Sequence, residues 1–195
     1  MTSPHDRVRI IDTITLSDDW YILRKYVFDY LRSDGTWQRQ EREAYDRGNG
    51  AVILLYNRNK NSVILIRQFR FPTFINGHDG FLIEAAAGLL EEKDPVSRIK
   101  AEAEEETGFH ITEVEKVFEA FMSPGSVTEK LYFFIAEYQD NNRLNQGGGL
   151  KEEGEDVEVL EMKFDDALAA IRNGDIIDGK TIMLLQYLAL SGRMA

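Results

Sequence analysis

Apolar and polar positions change their period several times along the chain. Residues 7–47 read as strands: 20–31 is rich in aromatic and β-branched side chains, Ser33-Asp34-Gly35 supplies turn chemistry, and 36–45 returns as a second strand. These strands carry many charges, and an isolated hairpin is marginal in water, so the segment is expected to lie on another subunit or on the main domain. Arg47-Gly48-Asn49-Gly50 marks a boundary between an N-terminal β module (1–47) and a larger domain (48–195). Two apolar strands follow at 51–56 and 63–70, then a loop at 71–80 with Pro72 and two glycines, then a strand at 81–87 that Gly88 ends. Asp94 is a good N-cap and Pro95 a good first helical residue, which predicts a helix to Thr107 with Gly108 just beyond its end. Strands at 117–121 and 131–138 flank Ser123-Pro124-Gly125. Residues 140–156 are polar and glycine-rich, and long loops in compact domains are usually functional or disordered. A strand at 157–162 and helices at 165–172 and 180–190 complete an α/β pattern, a central sheet with helices on both faces.

The glutamates of the first predicted helix carry the chemistry. A helix turns about 100° per residue, so with Glu102 at zero Glu106 lies near 40° and Glu105 near −60° on one face, while Glu104 points the opposite way. Ile99 and Ala103 form the adjoining apolar stripe, so the carboxylates border the buried face. Like charges at these spacings repel by some tenths of a kcal/mol per pair and lie at the negative end of the helix dipole. A divalent cation converts that cost into a binding site, and hard oxygen ligands suit Mg²⁺ or Mn²⁺.

Composition narrows the partners. Apolar residues make up 43% of the 195, enough for a buried core. The net charge of −11 argues against nucleic acid, whose phosphates select basic surfaces, but not against small phosphorylated ligands bridged by metal. With no cysteine there is no disulfide, Cys–zinc site or thiol nucleophile. The three histidines (His5, His78, His110) are scattered. No signal peptide or membrane-spanning run is visible, so a soluble cytoplasmic protein is expected, with no membrane partner.

The stretch Gly88-Leu-Leu-Glu-Glu, a Pro-initiated helix, the glutamate cluster and Thr107-Gly108-Phe109, in that order, resembles the signature of the Nudix hydrolase family. The resemblance implies an α/β/α sandwich with a mixed central sheet, here with an added N-terminal antiparallel β module. It also implies metal ligation by Glu102, Glu105, Glu106 and the Ala87 carbonyl. A carboxylate on a late loop is implied as well; Glu152, Glu153 and Glu155 are candidates, and Glu155 is favoured because it adjoins the strand at 157–162. Glu155, Glu106 and Glu105 are thus the expected catalytic residues. Two features depart from the pattern: the segment from Gly88 to the glutamates is one residue short, and the signature arginine falls at Ala101, with Lys100 or Arg98 as imperfect substitutes.

Further stretches resemble one branch of that family, the GDP-mannose pyrophosphatases, which are close to ADP-ribose pyrophosphatases. They are Arg42-Glu43, Tyr45-Asp46-Arg47-Gly48-Asn49-Gly50, Leu65 to Arg70, Leu82-Ile83-Glu84, Met122-Ser123-Pro124-Gly125, Val127-Thr128-Glu129, Phe133 to Tyr138, Gly147-Gly148-Gly149 and Asp178-Gly179-Lys180-Thr181. This resemblance implies a homodimer with swapped N-terminal strands and a nucleoside diphosphate sugar as substrate. Trp20 offers a face for a purine, and Arg42 and Glu43 contacts to the base. Arg70 and Lys180 suit phosphate or sugar oxygens, Gly88 and Leu89 the diphosphate, and Glu129 sugar hydroxyls. Taken singly, Trp20 is as readily a dimer-core aromatic, and Arg42, Arg47 and Arg67 are as readily surface ion pairs. GDP-mannose is the leading substrate and ADP-ribose or another ADP-sugar the alternative. A non-catalytic nucleotide-sugar sensor is the rival class, with Ala101 as its support; a triphosphate sanitiser fits the extra N-terminal strands less well.

Overall fold

The computed structural model describes residues 4–150, 152 and 154–194. The chain divides into two compact units, Met1–Asn49 with Phe121–Lys130, and Gly50–Ala120 with Leu131–Ala195. The first unit is an antiparallel sheet of β1 (Val8–Asp18), β2 (Ile22–Leu31) and β3 (Trp37–Asp46) in that order. Two register shifts interrupt the β1–β2 pairing, and β2–β3 runs unbroken from Ile22 opposite Asp46 to Leu31 opposite Trp37. The turn between β2 and β3 is held by Asp34, whose carboxylate accepts the Thr36 N–H at 3.0 Å. No described residue of this unit is buried. The segment 121–130 joins it through Tyr45, whose N–H donates to the Ser126 carbonyl and whose carbonyl accepts from the Thr128 N–H.

The second unit is built on β4 (Gly50–Asn57), buried at every position because both faces of the sheet are covered. Around it lie β5 (Ser62–Phe69), β9 (Lys130–Glu137), β8 (Glu115–Phe121) and β10 (Glu158–Lys163) in the order β10-β5-β4-β9-β8. β4 and β9 are parallel, while β5 is antiparallel to both β4 and β10, so the sheet is mixed as expected. On one face α2 (Pro95–Thr107) packs Ile99 and Ala103 against Ile53, Leu55 and Phe134. On the other, Phe118 bridges Phe133 and Tyr187 of α4 (Gly179–Leu190), with ring centroids 4.6 and 5.9 Å away. α3 (Phe164–Asn173) lies between β10 and α4. Among the described residues no helix is long and apolar enough to cross a membrane.

Two local expectations need correction. The segment read as a loop at 71–80 contains a short helix, α1 (Phe71–Ile75), because Pro72 falls in its first turn, where no N–H is needed. The strand read over 81–87 is two strands, β6 (Phe81–Glu84) beside β5 and β7 (Ala86–Leu89) beside β4. The chain changes neighbour at Ala85, whose N–H leaves the sheet for Thr181 Oγ1 at 2.7 Å. Gly88 lies within β7 rather than ending it.

Candidate active site

α2 begins as its sequence predicts. The Asp94 carboxylate accepts the Ser97 N–H at 3.0 Å, Pro95 follows, and Gly108 closes the helix at φ 80°. The helix buries Glu102 and Glu106 together with Ile99 and Ala103, leaving these two carboxylates 3% and 1% exposed and Glu105 half-buried beside them. β7 is tied to this face: the Ala87 N–H donates to Glu106 Oε2 at 2.9 Å. Gly88 approaches this face closely: a Cβ there would overlap the Glu102 carboxylate as it stands.

Of the two residues near the missing signature arginine, Arg98 is the one that reaches the glutamates. From one turn before Glu102 its Nη2 pairs with Glu102, its Nη1 donates to Glu105 at 3.3 Å and its Nε to the Leu89 carbonyl at 3.1 Å. Residues 98, 102 and 105 share a face because they stand four and seven apart. Lys100, the other substitute, turns away and donates to the Thr112 carbonyl at 2.5 Å. Burial, then the Glu102 charge, pushes the Glu106 carboxyl well above its usual range, against a weaker pull from the Ala87 N–H.

Among the described residues no group of three or more Asp, Glu or His side chains is gathered as a formed cation site. Arg98 and the Ala87 N–H engage these carboxylates instead. The donor set still fits a hard divalent cation: three carboxylates lie on one helix face, Arg98 engages two of them, and Glu106 is held as an anion only at a cost.

The glycine-rich loop docks on the end of the same helix. Gly148 and Gly149 donate their N–H groups to the Glu106 and Glu105 carbonyls at 2.9 and 3.1 Å, satisfying acceptors the helix leaves open. A Cβ on Gly147 would overlap the Glu106 carbonyl. The loop presents Glu155, whose carboxylate accepts the Leu150 N–H at 2.8 Å and whose charge raises Glu106 further. Glu152 is exposed, and Glu153 lies outside the described residues.

A second charged cluster, in which the sequence implied roles only for the cations, surrounds Glu84. Arg70 donates to both its oxygens at 2.9 and 2.7 Å, and Lys180 Nζ donates to one at 2.8 Å. Burial alone would raise the Glu84 carboxyl; the Arg70 hydrogen bond and the Lys180 and Arg70 charges outweigh it, and it titrates below the usual range. Lys180 stands at the start of α4, a poor place for a cation, and Glu84 and Asp178 compensate it, Asp178 accepting from it at 2.9 Å. The signal available in the sequence was the Asp178-Gly-Lys-Thr run; nothing there pointed to Glu84 as its partner.

The remaining expected contacts belong to the first unit. Trp20 is 84% exposed. Arg42 donates to the Glu41 carbonyl at 2.7 Å, and Glu43 lies opposite Lys25. Glu129 is paired with Arg47 at 3.4 Å. Arg67, on the second unit, has the surface pairing that was the bland alternative, 3.6 Å from Glu158.

Known proteins match this chain at both levels. Residues 7–45 match the family model described as GDP-mannose pyrophosphatase NudK N-terminal domain. A GDP-mannose pyrophosphatase of Pectobacterium atrosepticum is 55% identical over all of this chain and 99% of its own length. One from Enterobacter sp. is 55% identical over 97% and 98%, and one from Klebsiella pneumoniae is 51% identical over 96% and 94%. A solved structure described as an ADP compounds hydrolase shares the fold, with a TM-score of 0.72 over 96% of this chain and 97% of its own at 17% identity. With a buried glutamate pair on a helix that opens at Asp94 and closes at Gly108, and with relatives matched along nearly their whole length, this chain belongs to the Nudix hydrolases, in the branch of the GDP-mannose pyrophosphatases, and is a pyrophosphatase.

Proposed function

We propose that the enzyme hydrolyses GDP-mannose to GMP and mannose 1-phosphate with Mg²⁺, or Mn²⁺ in its place. The observation that carries the reading is the buried, like-charged pair Glu102 and Glu106 in a chain matched throughout by relatives of that name. Glu102, Glu105, Glu106, Glu155 and the Ala87 carbonyl would hold the cation. When bound, it supplies charge neutralisation at the phosphoryl oxygens and acidifies water.

The protein's own groups do the rest. Glu155 is the acceptor for the proton of the attacking water, and Glu105 and Glu106 orient the cluster, Glu106 from its anchor on Ala87 N–H. Arg70 and Lys180 bind phosphate or sugar oxygens, and the backbone at Gly88 and Leu89 lies along the diphosphate. Trp20, Arg42 and Glu43 recognise the base, and Glu129 the sugar hydroxyls. The reading includes a homodimer through the N-terminal strands: Val8, Ile10, Ile11, Ile14 and Leu16 are all exposed, and a sheet without buried residues needs cover. It also places the enzyme in the cytoplasm, consistent with a chain that has no cysteine.

Side-by-side product analysis on GDP-mannose and ADP-ribose with Mg²⁺ tests this. GMP and mannose 1-phosphate are expected. Activity confined to adenine substrates defeats the GDP-mannose assignment. Tight binding without ester release would favour a sensor, whose main sequence support is the missing signature arginine at Ala101.

A further inference from the structure

Arg70 and Lys180 come from distant parts of the chain, one after β5 and the other at the start of α4, yet both rest on one acid. Glu84 is 1% exposed and both its oxygens are engaged, so it meets no ligand itself. Its fork-to-fork pairing with Arg70 fixes the guanidinium plane and leaves Nη1 outside the pair, on a side chain that is 39% exposed. Lys180 is held from two sides, by Glu84 and by Asp178. Asp178 accepts from Thr181 N and Oγ1 at 3.0 and 2.6 Å, and Thr181 Oγ1 accepts the N–H of Ala85, the residue after Glu84. The circuit returns to the residue next to its start, so acid and lysine are located relative to each other by backbone as well as by charge.

Stability alone is a weak reason for such an arrangement. A buried ion pair seldom outperforms apolar side chains of the same volume, and a lysine in the first turn of a helix opposes its dipole. What the arrangement does provide is two cations at fixed spacing, with the Arg70 side chain partly open to solvent. We propose that Glu84 is a positioning residue: it orients Arg70 and sets the reach of Lys180 so that the two hold the anionic part of a nucleoside diphosphate sugar as one unit. The proposal rests on the reading of Arg70 and Lys180 as substrate contacts.

Steady-state kinetics on GDP-mannose with Mg²⁺ test it in two backgrounds. In the otherwise unaltered enzyme, Glu84→Gln should raise KM about tenfold or more with kcat within about threefold, the signature of lost ground-state binding. In the Arg70→Ala/Lys180→Ala background the same substitution should leave KM unchanged and raise the thermal midpoint, because there it removes an acid stranded without its cations. Glu84→Asp keeps the charge one methylene short; it should give a smaller KM rise, and it serves as the probe if the Gln variant does not fold. An unchanged KM in Glu84→Gln, or an equal fold-change in both backgrounds, overturns the positioning role and leaves Glu84 as a packing residue. If Arg70→Ala and Lys180→Ala each leave KM unchanged, the substrate-contact reading itself fails and the proposal falls with it.

Discussion

Glu84 and Glu106 are buried to the same depth, 1% exposed each, in the same unit of the chain. Their titration nevertheless moves in opposite directions, down for Glu84 and well up for Glu106. Depth therefore does not decide the matter; company does. Glu84 and Asp178 face Arg70 and Lys180, two acids against two cations. Glu102 and Glu105 share Arg98 along their helix face, while Glu106 is raised by the charges of Glu102 and Glu155 and feels only a weaker opposing pull from Arg70. A fold that only needs its buried acids to be tolerated pairs them. Under the proposed function, the excess charge on the α2 face is where a cation from outside would bind, and the Glu84 cluster is the part that would grip the substrate.

The sharpest way to break this contrast is Glu106→Gln. With saturating Mg²⁺ and GDP-mannose, turnover should fall about a hundred- to a thousandfold, the scale on which one element of a charge-stabilising site is felt. The same variant, free of metal, should melt higher than the parent, by about 2–4 °C for each kcal/mol of repulsion removed in a chain of this size. Glu84→Gln in the unaltered background should melt lower. Near-parental turnover in Glu106→Gln, or melting shifts of the same sign in the two variants, would end the distinction.

Arg98 sharpens it from the other side, because a lone cation among three carboxylates has two opposite descriptions. If it orients Glu102 and Glu105, Arg98→Ala should weaken Mn²⁺ binding, read by electron paramagnetic resonance, by about tenfold or more, as loss of a supporting contact to a ligand does. Restoring an arginine at the signature position, Ala101→Arg in the Arg98→Ala background, should then recover part of that affinity. Were Arg98 merely a counter-ion competing with metal, its removal would tighten Mn²⁺ binding.

These tests also show where the sequence was readable. The α2 face was legible because helical spacing is rigid: placing Glu102 and Glu106 beside Ile99 and Ala103 needs only 100° per residue, and their burial follows. The caps at Asp94 and Gly108 were legible for the same local reason. Arg98 was visible only as one of two substitutes, since its choice over Lys100 depends on which side of α2 meets Leu89. Glu84 was opaque. Its partners lie 14 and 96 residues away, and no local pattern announces that the chain changes strands at Ala85. The α1 helix was missed because Pro72, read as a loop residue, is equally at home in a first helical turn.

The smallest expected effect is a matter of pH, and it separates the two acids by sign. Glu84 titrates low in the fold, so its contribution to stability is fully present above the ordinary glutamate value and is lost as pH falls through its folded pKa. Glu106 titrates high, so between the ordinary value of 4.5 and its folded pKa the native state binds the extra proton, and stability declines as pH rises through that window. Urea unfolding of the metal-free protein from about pH 3 to pH 8 should show this as a difference between variants, the Debye length being about 10 Å at 0.1 M salt and screening buried charges least. The advantage of Glu106→Gln over the parent should grow as pH rises; the deficit of Glu84→Gln should shrink at the acid end. A Glu106→Gln curve parallel to the parent across the range would mean that some group in the fold already neutralises this carboxylate, and the asymmetry between the clusters would be gone.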